Sequence, residues 1–281
     1  MKEILIDTIL DSIKLIPFLL LAFLIIELIE HKLNNKTEKI ITKSKKIGPI
    51  IGSILGVIPQ CGFSVMATNL YITRIITLGT LISIYLSTSD EMLIIMLSEK
   101  APITLIIKIL LIKILFGIIY GIIIDIILNK RKQDNKTNYE LCDEEHCDCN
   151  HSILLSAIKH TLHITLFIFI ITLIINTIFS LLGDKYLSKI LLTNNILSPL
   201  ITSMIGLIPN CAASVILTEL YLNSTISLGA LIGGLLTSSG SSLLVLLKNN
   251  KNKKENITII LLLYSLGALS GIIVELINLI K

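Results

Sequence analysis

A chain of 281 residues that is 53% hydrophobic and only 16% charged, with a mean hydropathy of +0.85, carries more apolar surface than one water-soluble core can bury. Its net charge of +4 comes with lysines gathered in loops between apolar runs, which argues against a nucleic-acid partner and for membrane topology signals. Five cysteines, two in apolar segments and three in one loop, do not make a disulfide scaffold.

The first apolar run, 9–29, reaches the roughly 20 residues that span a hydrocarbon core. Glu3 and Asp7 precede it in place of a basic stretch, so it reads as a retained transmembrane helix and not a removable signal peptide. A loop rich in lysine (Lys32, Lys36, Lys39, Lys43, Lys45, Lys46) follows. Two segments of about a dozen residues come next, 47–59 and 62–72, each too short to cross a bilayer as helix. Between them stands Pro59-Gln60-Cys61-Gly62, so they read as half-helices meeting inside the membrane. The apolar stretch after residue 77 is interrupted by Ser87-Thr88-Ser89-Asp90-Glu91, and 103–128 forms a long helix carrying Gly117 and Gly121 at close-packing spacing. Lys14, Lys108, Lys113 and Lys159 interrupt apolar runs, and their long stems are expected to snorkel. A hydrophilic linker, 129–152, separates this first membrane unit, 1–128, from a second, 153–281.

The second unit repeats the first. Gly56-Val57-Ile58-Pro59-Gln60-Cys61 recurs 150 positions later as Gly206-Leu207-Ile208-Pro209-Asn210-Cys211. At the same offset Ser64 falls on Ser214, Tyr71 on Tyr221, Gly79 on Gly229, Ser87-Thr88-Ser89 on Thr237-Ser238-Ser239, Gly117 and Gly121 on Gly267 and Gly271, and Asp125 on Glu275. Shifted by one, Asp11-Ser12 falls on His160-Thr161. Shared Pro, Cys, Gly and Tyr at one offset do not arise from Ile/Leu bias, and internal repeats are a recurrent construction of transporters. Each half parses into five segments. Lysine placement then orients them: the loop after the first helix is lysine-rich while its counterpart has only Lys185 and Lys189. In another pair Lys100 stands against Lys248, Lys251, Lys253 and Lys254. With lysine-rich loops cytoplasmic, the halves are inverted relative to each other, the linker is cytoplasmic and both chain ends face outward. The expected fold class is an all-α integral membrane protein of two inverted-topology repeats with broken or re-entrant helices.

The broken segments carry the chemistry. A proline break at membrane depth frees backbone groups, tolerated only where protein or a water-filled cavity satisfies them, and such discontinuities are where transporters place ion sites. Gln60, Cys61, Ser64, Asn210, Cys211 and Ser214 therefore line the candidate ion pathway, with Ser87, Thr88, Ser89, Asp90 and Glu91 and their acid-free counterparts Thr237, Ser238 and Ser239. Glu219, standing where the first half has Asn69, joins them. Carboxylates, amide carbonyls and hydroxyls make an oxygen-rich set suited to Mn²⁺, whereas Cys61 and Cys211 would favour a soft ion such as arsenite. Asp11 and His160, at equivalent places, are candidates for gating or proton transfer. Cys142, His146, Cys147, Cys149 and His151 in the linker form a soft-metal cluster that matches no closed zinc module and reads as a capture or sensing loop. No phosphate-binding glycine loop or hydrolytic signature occurs, which leaves gradient-driven transport, with protons as coupling ion and no bound cofactor. A membrane thiol oxidoreductase using Cys61 and Cys211 is the reading from a different class.

Ile58-Pro59-Gln60-Cys61-Gly62-Phe63-Ser64, Leu86-Ser87-Thr88-Ser89-Asp90-Glu91 and Gly206-Leu207-Ile208-Pro209-Asn210-Cys211-Ala212-Ala213-Ser214 resemble the ten-transmembrane heavy-metal exporters, described variously as arsenic efflux proteins or manganese transporters. The resemblance covers essentially the whole chain, and it implies ten segments in a bacterial cytoplasmic membrane and metal efflux. Ser239-Gly240-Ser241-Ser242 departs from the more glycine-rich run expected there.

Overall fold

The computed structural model describes residues 8–10, 12–13, 15–17, 19–21, 23–24, 37–58, 61–129, 153–182 and 197–279. Over these residues it is all-helical, with no strand. After helical residues between 8 and 24 come α1 (Thr37–Gly56), α2 (Cys61–Ile72), α3 (Leu78–Ser87), α4 (Asp90–Ser98) and α5 (Ile103–Asn129). The second half supplies α6 (Ile153–Leu182), α7 (Ser198–Gly206), α8 (Ala212–Leu222), α9 (Leu228–Thr237), α10 (Ser242–Asn249) and α11 (Lys253–Leu279).

Ile103, Ile107, Leu111, Leu115, Ile119 and Ile123 recur every fourth residue on α5 and are exposed, while Ile106, Ile109, Lys113, Gly117 and Ile124 on its other side are buried. On α11, Ile257, Leu261, Leu269 and Ile273 are exposed in the same way over a buried Ile259, Leu263 and Val274. Continuous stripes of large aliphatic side chains are stable only against an apolar surround. Among the described residues, four stretches are long and apolar enough to cross a membrane: Leu78–Ser98, Ile103–Leu128, Leu228–Asn249 and Lys253–Leu279. The chain is a multi-pass membrane protein.

Local geometry recurs at the offset read from the sequence. Helices α1, α3 and α5 pack on one another, as do α7, α9 and α11. Both α2 and α8 end in a left-handed residue, Arg74 (φ 63°) and Ser224 (φ 56°). Each is followed by an amide bonded back to the helix, Ile75 to Leu70 at 2.9 Å and Thr225 to Leu220 at 2.8 Å. Thr77 and Ser227 then cap α3 and α9, their hydroxyls accepting from the Thr80 and Ala230 amides. Asp125 accepts from the Thr77 hydroxyl at 2.7 Å and the Gly79 amide at 2.9 Å; Glu275 accepts from Ser227 at 2.6 Å and Gly229 at 3.1 Å. A carboxylate thus sits at the positive end of each of these helices.

These contacts also fix direction. The turn at 73–77 touches Asp125 near the end of α5 and Glu255 near the start of α11. The turn at 223–227 touches Glu275 near the end of α11 and forms a cavity with Leu105 near the start of α5. Helices α5 and α11 therefore run antiparallel, and the equivalent residues Tyr120 and Ser270 meet at 3.1 Å. The two turns lie at opposite ends of both helices, about 30 Å apart along 20 residues of helix, the thickness of a hydrocarbon core.

The halves also exchange contacts: α4 packs on α8, and α10 packs on α2. A main core gathers Leu81, Ile82, Tyr85 and Leu86 with Leu231, Ile232, Leu235 and Leu236. A second core joins Leu15, Leu19 and Phe23 to Ile164 and Ile168 of α6, with Val65 and Val245.

Candidate functional site

Both polar interruptions are breaks in helices. Helix α3 stops at Ser87, and Thr88 turns extended (ψ 125°) before α4 begins at Asp90. Helix α9 stops at Thr237, and Ser238 turns extended (ψ 99°), with Gly240 left-handed, before α10 begins at Ser242. Hydroxyls drive these stops by offering the chain local acceptor bonds. Ser87 and Thr88 donate to the Ile84 carbonyl at 3.1 and 2.7 Å, and Thr237 donates to Gly234 at 2.9 Å. The Pro-Asn-Cys stretch is likewise a bend between α7 and α8; α1 ends at Gly56 and α2 begins at Cys61, with Pro59 and Gln60 outside the described residues.

Because α3 starts at one of the two opposed turns and α9 at the other, their carboxyl ends advance toward each other. They meet at Lys113. This side chain, expected to snorkel, is instead fully buried, and its ammonium donates to the Thr88 carbonyl and, at 3.1 Å, to the Leu235 carbonyl. Lys113 lies near the middle of α5, where no interface is within its reach, so burial among the carbonyls at two negative helix ends is its stable solution. The second half has Leu263 at the equivalent place. A lysine mid-run in one repeat facing leucine in the other is the signal that could have singled it out.

Around this junction Ser89 donates to the Val57 carbonyl at 2.8 Å, tying the first break to the end of α1, and the Thr237 hydroxyl shares its one proton between the Gly234 and Ser203 carbonyls, each at 2.9 Å. Ser238 and Ser239 are 2% and 1% exposed, and their hydroxyl oxygens have no hydrogen-bond partner among the described residues. Two buried, unsatisfied oxygens at a helix break are costly unless a ligand or water occupies the space they face. Asn210 is buried, with its side-chain oxygen accepting from the Ala212 amide at 3.2 Å; Ser214 donates to the Cys211 carbonyl at 2.8 Å. Ser64 is buried on α2, where its carbonyl accepts from Thr68 at 2.7 Å. Cys211 and Glu91 are half-buried. Glu219 is exposed on α8, whereas its counterpart Asn69 is buried and accepts from Asn249 at 3.2 Å.

Asp11, Gln60, Cys142, His146, Cys147, Cys149 and His151 lie outside the described residues, and for Cys61, Asp90 and His160 the backbone alone is described. Among the described residues no three His, Cys, Asp or Glu side chains gather closely enough to hold a metal ion. The described donors at the junction are carbonyls and hydroxyls, and the bend between α7 and α8 carries one amide, Asn210, and one thiol, Cys211.

A family model described as "Putative, 10TM heavy-metal exporter" matches residues 1–184 and 151–280, two overlapping stretches that together take in almost the whole chain. The chain belongs to this family. No curated protein and no solved structure matches the chain.

Proposed function

We propose that the chain is a secondary-active exporter of a divalent heavy-metal cation, Mn²⁺ foremost, driven by proton antiport. The observation that carries this reading is the break between α9 and α10, where the buried Ser238 and Ser239 hydroxyls have no hydrogen-bond partner among the described residues. Oxygen donors of this kind suit Mn²⁺ better than a thiophilic ion. Asp90 and Glu91, at the start of α4, would add the negative charge a divalent ion requires, and Asn210, with Gln60 in the other half, the amide oxygens. Family membership supports heavy-metal export as the activity.

An inverted arrangement of the halves is supported by the antiparallel course of α5 and α11 and by the lysine bias of opposite loops. Its setting would be a bacterial cytoplasmic membrane, with the 129–152 linker inside, its Cys142, His146, Cys147, Cys149 and His151 poised to capture metal, and both ends outside. Asp11 and His160 remain the proton-transfer candidates. Alternating access would come from rocking the halves about the junction.

The half-buried Cys211 thiol beside Asn210 favours a second reading, export of arsenite through Cys61 and Cys211. Everted vesicles decide between them. Mn²⁺ export predicts pH-gradient-driven Mn²⁺ uptake that Asp90→Asn with Glu91→Gln abolishes and Cys211→Ser spares. Arsenite export predicts the reverse pattern. Wild-type Mn²⁺ flux in the double variant would contradict the assigned carboxylates.

A further inference from the structure

The two turns that follow α2 and α8 share a backbone but differ in chemistry. At the first, the Arg74 guanidinium grips Glu255 with both arms, Nη1 to Oε1 at 2.8 Å and Nη2 to Oε2 at 2.9 Å. The Tyr71 hydroxyl donates to the same carboxylate, and the guanidinium lies over the Tyr71 ring, 5.2 Å from its centre. Arg74 and Tyr71 belong to the first half and Glu255 to the second, so this cluster clamps one half to the other. It is partly shielded from water, the two charged side chains being 29% and 17% exposed. A forked, charge-assisted pair of this kind is among the stronger polar contacts available.

At the second turn Tyr221 replaces Tyr71, Ser224 replaces Arg74, and Leu105 replaces Glu255. No clamp can form there. A cavity of about 370 Å³ opens in its place, lined by Leu105, Tyr221, Leu222, Ser224, Ile226 and Ser227. The two turns lie at opposite ends of α5 and α11, so among the described residues one turn is clamped between the halves while the other borders a cavity. The latched end carries Lys248, Lys251, Lys253 and Lys254, which marks it as the cytoplasmic end by the excess of basic residues.

We propose that Arg74, Glu255 and Tyr71 form the cytoplasmic gate of the transporter, and that the cavity between α5 and α8 is the vestibule through which the ion leaves on the opposite side. The inference rests on the transport reading above and adds the conformation: latched inside, open outside, the state that releases exported ion. The asymmetry also orders the cycle. Among the described residues, closing the outer end would draw on the apolar contact of Leu105, Tyr221, Leu222 and Ile226, whereas leaving the latched arrangement requires breaking an ion pair.

Side-specific thiol labelling of the full chain tests this without relying on metal flux. In a background with the five native cysteines replaced by serine, Thr68→Cys places a reporter on α2, at a fully buried position one turn before Tyr71. Ser224→Cys places another in the vestibule. An impermeant thiol reagent should reach Ser224→Cys from the outer face, while Thr68→Cys stays protected from the cytoplasmic face. Adding Glu255→Gln should raise cytoplasmic labelling of Thr68→Cys about tenfold and lower outer labelling of Ser224→Cys, as a two-state equilibrium losing one state's contact requires. Combining Arg74→Glu with Glu255→Arg should restore protection. Should Glu255→Gln fail to fold, Tyr71→Phe, which removes one hydrogen bond, should give a smaller shift in the same direction. Unchanged labelling at both reporters, or access to both from one face, overturns the gate. A wild-type protein that labels as expected but carries no metal would overturn the transport reading and leave the gate standing as a two-state device.

Discussion

Lys113 concentrates the energetic argument at the scale of single residues. Its ammonium satisfies the Thr88 and Leu235 carbonyls, each at the end of a broken helix from a different half. Lys113→Met should leave both acceptors buried and unpaired and lower stability by about 1–3 kcal/mol, read as a lower denaturation midpoint in detergent, with transport lost as well. An unshifted midpoint would remove it from the junction. The capping carboxylates give a second prediction: Asp125→Ala and Glu275→Ala should each cost about 1–2 kcal/mol, because each strips a helix start of two hydrogen bonds. Their equivalence was legible in the sequence, since Asp125 and Glu275 fall at one offset, but their role was not, because nothing in a linear pattern says which helix start they cap. Lys113 was misread for a related reason. Snorkelling depends on depth and facing, and the apolar run alone gives neither.

The elements were better legible. Pro209 and the two hydroxyl clusters stand at helix breaks, because proline removes a donor and Ser and Thr redirect backbone bonds locally. The pairs Gly117/Gly121 and Gly267/Gly271 announced close packing, and the structure supplies the partners. A Cβ on Gly79 would stand 2.2 Å from the Gly121 carbonyl oxygen, and one on Gly229 would stand 2.6 Å from that of Gly271. Each broken helix thus lies backbone to backbone against the long helix that holds its cap. Gly79→Ala and Gly229→Ala should each destabilise by about 1–3 kcal/mol, since neither backbone can yield without pulling the cap apart. A thermal-shift measurement in detergent should show both, while Ser265→Ala, on the exposed side of α11, stays at the wild-type midpoint. What the sequence did not carry at this scale is the exchange of α4 and α10 between halves, because contacts between distant apolar helices leave no local pattern.

At the scale of the whole molecule, the contacts give α5 and α11 antiparallel, with equivalent residues Tyr120 and Ser270 touching between them, a course that supports the inversion proposed from the repeat offset and the lysine bias. Cysteines placed at Lys100 and Lys251 should then label from opposite membrane faces. Labelling from the same face would contradict inversion. The asymmetry between the ends, a clamp at Arg74 and a cavity at Ser224, could have been found by comparing the repeats position by position for unequal charge, but only the fold says that Arg74 and Glu255 meet. Export itself is tested most directly by element-resolved metal analysis of cells with and without the protein. Cells lacking it should accumulate manganese, and restoring the wild-type chain but not the variant Asp90→Asn with Glu91→Gln should bring the content back down. Identical metal content with and without the protein, across every element measured, would contradict metal export.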